Sequence, residues 1–488
     1  MNEHAGFLKG LKVAQAREKI IETLREKKLL IKQEKTMHRT PICERSADPV
    51  EFIAMPEFYL KQLPYKEKMA ELGQALQFFA PQSRQIFLDW VNSISIDWPI
   101  SRRRYYATEI PLWYCKKCKE PIIPPKGKYY QPWKEPCPVK KCPKCGASEF
   151  EGETRVFDTW FDSSNTPLYV LKYSRNDQFF KKNFPCTLRP QGKEIIRTWL
   201  YYTILKGFLL TGKLVFQDAW INYHIVDEKG HKMSKRLGNV IKPEEALDKF
   251  GAEPFRLWAA VEGNLEKTDF RCSFERMEGA GKTITKFWNL ARFISQFTAP
   301  KKKPKLTALD NWIISEINEL IKFARQGFEK YDFHNPGTKL RHFIWETFSS
   351  HYIELAKNRA YNQEEKYSKE EQQAALYTLH YCLNTLLKLL APITPMITFH
   401  IFKELNGKDV HFESFPEPMP KIESPIKTEE LMELNSAIWK AKKDKGFSLR
   451  DSVKEAVLPE ALKPVEKDLT AAHGLQKVGF GKKLELKF

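Results

Sequence analysis

The chain has 488 residues, 42% of them apolar and 13% aromatic, which is material for three or four packed domains and little reason for disorder. Its 80 lysines and arginines against 61 acidic residues leave a net charge of +19, and that favours a polyanionic partner. No secretory leader opens the sequence, Lys206 and Lys213 interrupt the longest apolar run, and four of nine cysteines sit in two Cys-x-x-Cys pairs; a secreted knot and a membrane span are excluded, and a basic protein of the reducing cytoplasm is expected.

In chain order, Val13, Ala16, Ile20 and Leu24 recur at helical spacing, and short strands with turns are expected around 42–53. Residues 58–274 mix short apolar strands, such as 214–216 and 219–226, with helical stretches such as 194–210. That alternation predicts an α/β domain with a parallel sheet. From 287 to 405 the periodicity is helical: Trp312, Ile313, Ile317, Leu320, Ile321 and Ala324 form one stripe, and Leu340, Phe343, Ile344, Phe348, Tyr352 and Leu355 another. The lysine-rich stretch 301–305 separates two helices, Asp310 is placed to cap the second, and Pro392 and Pro395 break the last long one. A proline-rich linker at 415–420 leads into a small lysine-rich terminal unit.

Two constellations carry chemistry. Cys115-Lys-Lys-Cys118 and Cys142-Pro-Lys-Cys145 each offer two thiolates from one turn, and together they make a closed S₄ shell for a structural Zn²⁺, with Cys137 an unpaired extra. Gly230-His-Lys-Met-Ser-Lys-Arg-Leu-Gly238 places Lys232, Lys235 and Arg236 on a glycine-flanked loop, where cations can meet charge building on a leaving pyrophosphate. Gly279-Ala-Gly-Lys-Thr283 is a decoy. Charged residues, not an apolar strand, precede it, so a helix is expected there.

The Lys-Met-Ser-Lys loop resembles the signature loop of class I aminoacyl-tRNA synthetases. Ile100-Ser-Arg-Arg-Arg-Tyr-Tyr-Ala107, Phe157-Asp-Thr-Trp-Phe-Asp-Ser-Ser164, the stretch from Leu188-Arg-Pro-Gln-Gly to Trp199, and Ile221-Asn-Tyr-His-Ile-Val-Asp227 resemble further elements, in family order and in the valyl branch. Gln191-Gly-Lys-Glu194 speaks against the isoleucyl branch. The resemblance implies that ATP, with Mg²⁺, and valine give valyl-adenylate, and that valine then passes to tRNA(Val). It implies Lys232 and Lys235 as catalytic residues. Gly192, Glu194, Asn222, Ile225, Val226, Met233 and Ser234 would join them around ATP, and Tyr106, Val156 and Trp160 would wall the amino acid. Tyr106 stands where the family usually has tryptophan, Arg103 where it has glutamine, and Arg236 where serine is commoner. In the helical region, Lys357 and Arg359 beside aromatic residues are the expected tRNA contacts.

The domains expected are an editing-insertion remnant at 1–56, the second half of a Rossmann-type catalytic domain at 57–114 and 151–236, and a zinc-ribbon insertion at 115–150. A stem-contact segment at 237–275, a helical anticodon-binding domain at 276–415 and a small RNA-binding unit at 416–488 follow. The family's His-x-Gly-His signature precedes the lysine loop nowhere in this sequence; His334-Asn-Pro-Gly lies in the wrong domain. The expectation is a C-terminal subunit completed by an N-terminal chain in a heterodimer, one that does not proofread alone. The alternatives are a truncated product and a non-catalytic tRNA-binding protein.

Overall fold

The computed structural model describes residues 1–43, 46–50, 54–234, 237–265 and 269–488. The chain divides into Met1–Phe58 and Tyr59–Phe488. In the first unit, helix α1 (Val13–Glu26) follows the apolar spacing, although Ala16 alone among its residues is buried. The strands expected around 42–53 reduce, among the described residues, to one antiparallel bridge between Ile42 and Pro49.

The second unit opens with α2 (Lys66–Ala75), β1 (Gln77–Phe79) and α3 (Ser83–Ser93). Strand β2 (Ser101–Arg102) leads to the cysteine ribbon, where β3 (Trp113–Cys115) runs antiparallel between β4 (Pro121–Ile122) and β5 (Phe150–Gly152). Strand β6 (Val156–Phe157) returns to pair with β2, and α4 (Thr159–Ser163) follows, capped by Asp158. Then β7 (Cys186–Gly192), α5 (Trp199–Thr211) and β8 (Phe216–Asn222) form a β-α-β unit. Strand β8 lies between β1 and β7 and is parallel to both.

Among the described residues, one edge of β7 is paired in this sheet and the other is not. It is seven residues long, Arg189 and Gln191 are buried, and Pro190 suits its edge position. The helix expected over 194–210 is in two parts, a tight turn at Lys193–Ile196 and then α5, because Thr198 between them leaves helical geometry. Leu200, Tyr201, Ile204 and Leu205 of α5 close on Val215, Phe216, Ala219 and Ile221, with Met69, Phe87 and Val91 beneath. At Gly207 a Cβ would lie 2.1 Å from the Val215 side chain, so this close helix-strand approach requires glycine.

Beyond β9 (Ile225–Val226), which pairs in parallel with β10 (Phe270–Arg271), the chain is helical: α6 (Phe274–Ser295), α7 (Ala308–Phe328), then His334 to α8 (Glu354–Tyr361) through a π-helical stretch at Phe343–Ile353. Helices α9 (Lys369–Leu390) and α10 (Pro395–Asn406) are separated at the two prolines as expected, with Pro395 opening α10. The decoy Gly279–Thr283 lies inside α6. The N-cap of α7 is Thr307, and Asp310, the third helical residue, completes a capping box by accepting from the Thr307 backbone N–H at 3.1 Å.

The terminal unit has α11 (Thr428–Asp444), β11 (Val453–Pro459), α12 (Glu466–His473), β12 (Leu475–Gly481) and β13 (Glu485–Lys487), with β11 central in the sheet. It has no separate core. Leu431, Ile438, Val453, Leu458 and Leu469 continue the cluster built on Trp312, Ile313, Phe348 and Leu383. No described helix is long and apolar enough to cross a membrane.

Candidate adenylation site

The site forms where parallel strands end. Gly192 and Asn222 are register partners at the last positions of β7 and β8. Asn222 is exposed, and a Cβ on Gly192 would meet only the Asn222 carbonyl oxygen, at 3.9 Å, so the strand ends leave open space above them. Glu194 follows on the tight turn. Its carboxylate accepts from Lys232 Nζ at 2.5 Å and lies 3.2 Å from His224 Nε2. The Lys232 ammonium, with His224 and Lys193 nearby, holds the Glu194 carboxyl below its ordinary range.

The lysine loop is anchored to this point. Lys232 bridges back to Val226 on β9, whose neighbour Ile225 is exposed. Asn239 grips the loop from inside: its side chain accepts from Ser234 N at 2.9 Å and donates to Asp227 Oδ2 at 2.9 Å. Met233 Sδ accepts from Ile241 N at 3.4 Å. Gly230, at φ +87°, makes the reversal that brings the His231 amide onto Asp227 Oδ1. Lys235 and Arg236 lie outside the described residues. Lys232, Met233, Ser234, Gly192, Glu194, Asn222, Ile225 and Val226 thus come together at one sheet end. Sequence reasoning missed Asp269, which accepts from Lys193 Nζ at 2.6 Å and from the His224 amide at 2.9 Å. No local motif marks it; it arrives on the segment before β10.

The residues expected to wall the amino acid are placed differently. Val156 is buried on β6, and Trp160 is half-buried on α4, its amide donating to Asp158 Oδ1 at 3.1 Å. Asp158 also accepts from Trp98 Nε1 at 3.2 Å and pairs with Arg102 at 2.8 Å. The end of α4 docks on the start of α5 through Trp199 Nε1, 3.1 Å from the Ser163 carbonyl oxygen. Tyr106 is 82% exposed and makes no ring contact with Trp160 among the described residues.

The sulfurs of Cys115, Cys118, Cys142 and Cys145 all lie within 4.8 Å of one another. The Cys115–Cys145 and Cys118–Cys142 separations of 3.5 and 3.6 Å are close to the roughly 3.8 Å edge of a tetrahedron with metal–sulfur bonds of about 2.3 Å. The Cys118 backbone N–H holds the Cys115 thiol below its ordinary range. These four residues fit a tetrahedral thiophilic metal; Cys137 stands outside the set.

Of the two expected RNA contacts, Lys357 is half-exposed and pairs with Glu354 at 2.5 Å. Arg359 is corrected by the structure. It is 1% exposed, its guanidinium spans both oxygens of Asp310 at 2.7 and 2.9 Å, and its Nε donates to Asp468 at 3.1 Å. A cation committed to two buried carboxylates is not offered to phosphates.

Comparison with known proteins identifies the family. The family model for class I tRNA synthetases (I, L, M and V) matches residues 8–271, and that for the anticodon-binding domain of tRNA ligase matches 310–457. A valine–tRNA ligase of Pyrobaculum aerophilum is 40% identical over 488 aligned residues, covering 98% of this chain and 61% of that protein. One from Nanoarchaeum equitans is 40% identical over 475, covering 96% and 61%. The chain thus spans about three fifths of the length of these relatives. Among solved structures, Mycobacterium tuberculosis methionyl-tRNA synthetase bound by methionyl-adenylate shares the fold at TM-score 0.58 and 16% identity, over 79% of this chain and 70% of that one. With more than half of its length inside the first match, and a lysine loop seated on the ends of a parallel sheet, the chain belongs to the class I tRNA synthetases of the isoleucine, leucine, methionine and valine group.

Proposed function

We propose that this chain is the C-terminal part of a valine–tRNA ligase, forming valyl-adenylate from ATP and valine and passing valine to tRNA(Val) together with an N-terminal half carried on a separate chain. The observation that carries the reading is the junction of Lys232 with Glu194 above Gly192 and Asn222, at the end of a sheet whose strand β7 has a free edge. Relatives called valine–tRNA ligase support the choice of amino acid. The reading places the enzyme in the cytoplasm.

Adenylate formation moves negative charge onto a departing pyrophosphate, so the protein's work is positioning and charge stabilisation. Lys232 and Lys235 meet the phosphates of Mg-ATP. Glu194 exchanges its ion pair with Lys232 for the ribose hydroxyls, Gly192 and Asn222 give the adenosine a flat approach, and Ile225 and Val226 border the base. Met233 and Ser234 keep the loop's shape through Ile241 and Asn239. Val156, Trp160 and Tyr106 select the side chain. A site built for valine rejects the isosteric threonine poorly, the standing example of weak discrimination against an added hydroxyl, so this chain by itself does not proofread. Zn²⁺ held by Cys115, Cys118, Cys142 and Cys145 is structural, since four protein ligands leave no position for substrate.

The partner half supplies the His-x-Gly-His signature and a strand for the free edge of β7. Completing a sheet between chains calls for an interface above ~2,000 Å². The test is valine-dependent ATP–pyrophosphate exchange, by this chain alone and mixed with the N-terminal portion of an archaeal relative. Exchange only in the mixture supports the proposal. No exchange with any N-terminal half leaves a second reading, a tRNA-binding protein without ligase activity. That reading has its own support in adjoining cavities of about 760 and 810 Å³ between α8 and the terminal unit, lined by Tyr361, Tyr367, Trp439, Lys286, Lys357 and Arg450. Aromatic faces and cations in one groove suit unstacked bases and their phosphates.

A further inference from the structure

Between the cysteine ribbon and the amino-acid walls stands one buried carboxylate with no assigned task. Glu109 is 3% exposed. Its backbone bridges to Val156, and on either side Phe157 N donates to the Thr108 carbonyl at 2.8 Å and Ile110 N to that of Arg155 at 3.3 Å. Residues 108–110 therefore lie along β6, beside the wall formed by Val156.

The side chain gathers donors from two separate segments. From the 102–108 turn, Tyr105 donates its hydroxyl to Oε1 at 2.9 Å. From the loop between the two cysteine pairs come Gln131 Nε2, at 2.9 Å from Oε1, and the Tyr129 hydroxyl on Oε2. Tyr105 also stands edge-on to Trp133 of that loop, with ring centres 5.4 Å apart. The loop comes this close because residue 152 is glycine: a Cβ there would lie 1.9 Å from the Pro132 carbonyl oxygen. A carboxylate only accepts, so it alone satisfies the two hydroxyls and the amide at once; alanine would leave all three without their partner.

We propose that Glu109 is a positioning residue through which the cysteine ribbon fixes the 102–108 turn, and with it Tyr106, at the mouth of the amino-acid pocket. The ribbon then acts on the pocket from a distance. The metal orders the loop bearing Tyr129 and Gln131, the loop holds Glu109, and Glu109 holds Tyr105, next to the exposed Tyr106. The pocket half of this proposal rests on the ligase reading above; the mechanical link does not.

Hydrogen exchange on the full zinc-loaded chain tests the link. In Glu109→Ala, exchange rises about tenfold or more over both 103–109 and 127–133, as expected when donors lose a buried acceptor, while 369–390 keeps its protection. Chelation of the metal from the parent protein raises exchange over 103–109 as well, and chelation of the variant adds nothing further there. Unchanged exchange over 127–133 in the variant, or over 103–109 after chelation of the parent, overturns the link. If the alanine variant unfolds the ribbon, Glu109→Gln, which keeps the shape and one acceptor, carries the same comparison. In the assembled ligase, the variant raises the KM for valine roughly 5- to 20-fold and leaves that for ATP within about twofold, a split expected of misplaced walls and not of general damage. Equal changes in both constants overturn the positioning role. A parent assembly without exchange activity counts against the ligase reading alone, and the hydrogen-exchange pattern still decides the link.

Discussion

The helical region and the parallel sheet meet a buried arginine in opposite ways. In the helical region Arg359 is closed in by Asp310 and Asp468, Tyr352 donates to Asp310 at 2.7 Å, and one apolar core runs from Phe287 to Leu475. In the sheet, Arg189 on β7 is also buried, but its guanidinium lies over the Trp199 ring at 3.1 Å and, among the described residues, hydrogen-bonds Thr203 and Gln191. Lys206 on α5 has the Phe161 carbonyl oxygen, at 2.6 Å. Among the described residues neither cation has an ion-pair partner, and burial depresses Arg189 to about 9 and Lys206 to about 8. The first region meets its buried arginine with carboxylates, although Lys442 on α11 is held by carbonyl oxygens instead. The second leaves two buried cations with no carboxylate opposite them among the described residues, one of them on the edge strand β7.

Breaking the completed network gives the largest effect. Arg359→Ala leaves Asp310 and Asp468 buried without their cation and costs about 3–5 kcal/mol, read as a lower midpoint for the helical transition in urea. A loss under about 1 kcal/mol would erase the contrast. Next comes the loop: Lys232→Ala or Lys235→Ala in the assembled enzyme lowers the pyrophosphate-exchange rate by roughly 10²–10³ without altering stability. A rate within about threefold of the parent removes either lysine from the chemistry.

The ribbon margin answers to acid. Although burial raises the Glu153 carboxyl, Arg155 at 2.6 Å, backbone N–H groups and the Tyr114 hydroxyl bring it down to about 2 from 4.5. A depressed acid contributes stability that is whole above its unfolded value and is lost as pH falls through the folded one. The ribbon therefore loosens as pH falls between about 4.5 and 2. Glu153→Gln removes that slope in acid melting curves followed by tryptophan fluorescence, and an unchanged slope would place the acid sensitivity elsewhere. The smallest effect belongs to the surface. Lys357→Ala weakens tRNA binding by roughly two- to fivefold and flattens its salt dependence by about one counterion, with no change in melting. A stability loss there would put Lys357 in the same structural class as Arg359.

Lys357 and Arg359 also show what a sequence conceals. Two residues apart on one charged helix, they read alike, and only partners 49 and 109 positions away decide that one faces inward. Asp310 was half legible for the same reason. Its position near a helix start suggested a cap, and it does complete the box with Thr307, but the same carboxylate also turns inward to Arg359. The cysteine set was legible because each pair forms within one turn and two pairs suffice for a tetrahedron. The lysine loop was legible because its neighbours Asp227 and Asn239, which shape it, are local. Asp269 and Glu109 were not, since each acts across segments that only the folded chain brings together. The α/β character of 58–274 was plain from alternation, but a free edge on β7 follows from strand order, which no periodicity records.

The central claim is that β7 waits for a neighbour. Hydrogen exchange across 186–192, followed as an N-terminal half is titrated into the chain, tests it most directly. The account predicts fast exchange on the outer side of β7 in the chain alone, and protection that grows in step with valine-dependent activity. Full protection before any partner is added, or activity that develops while the strand remains unprotected, would contradict it.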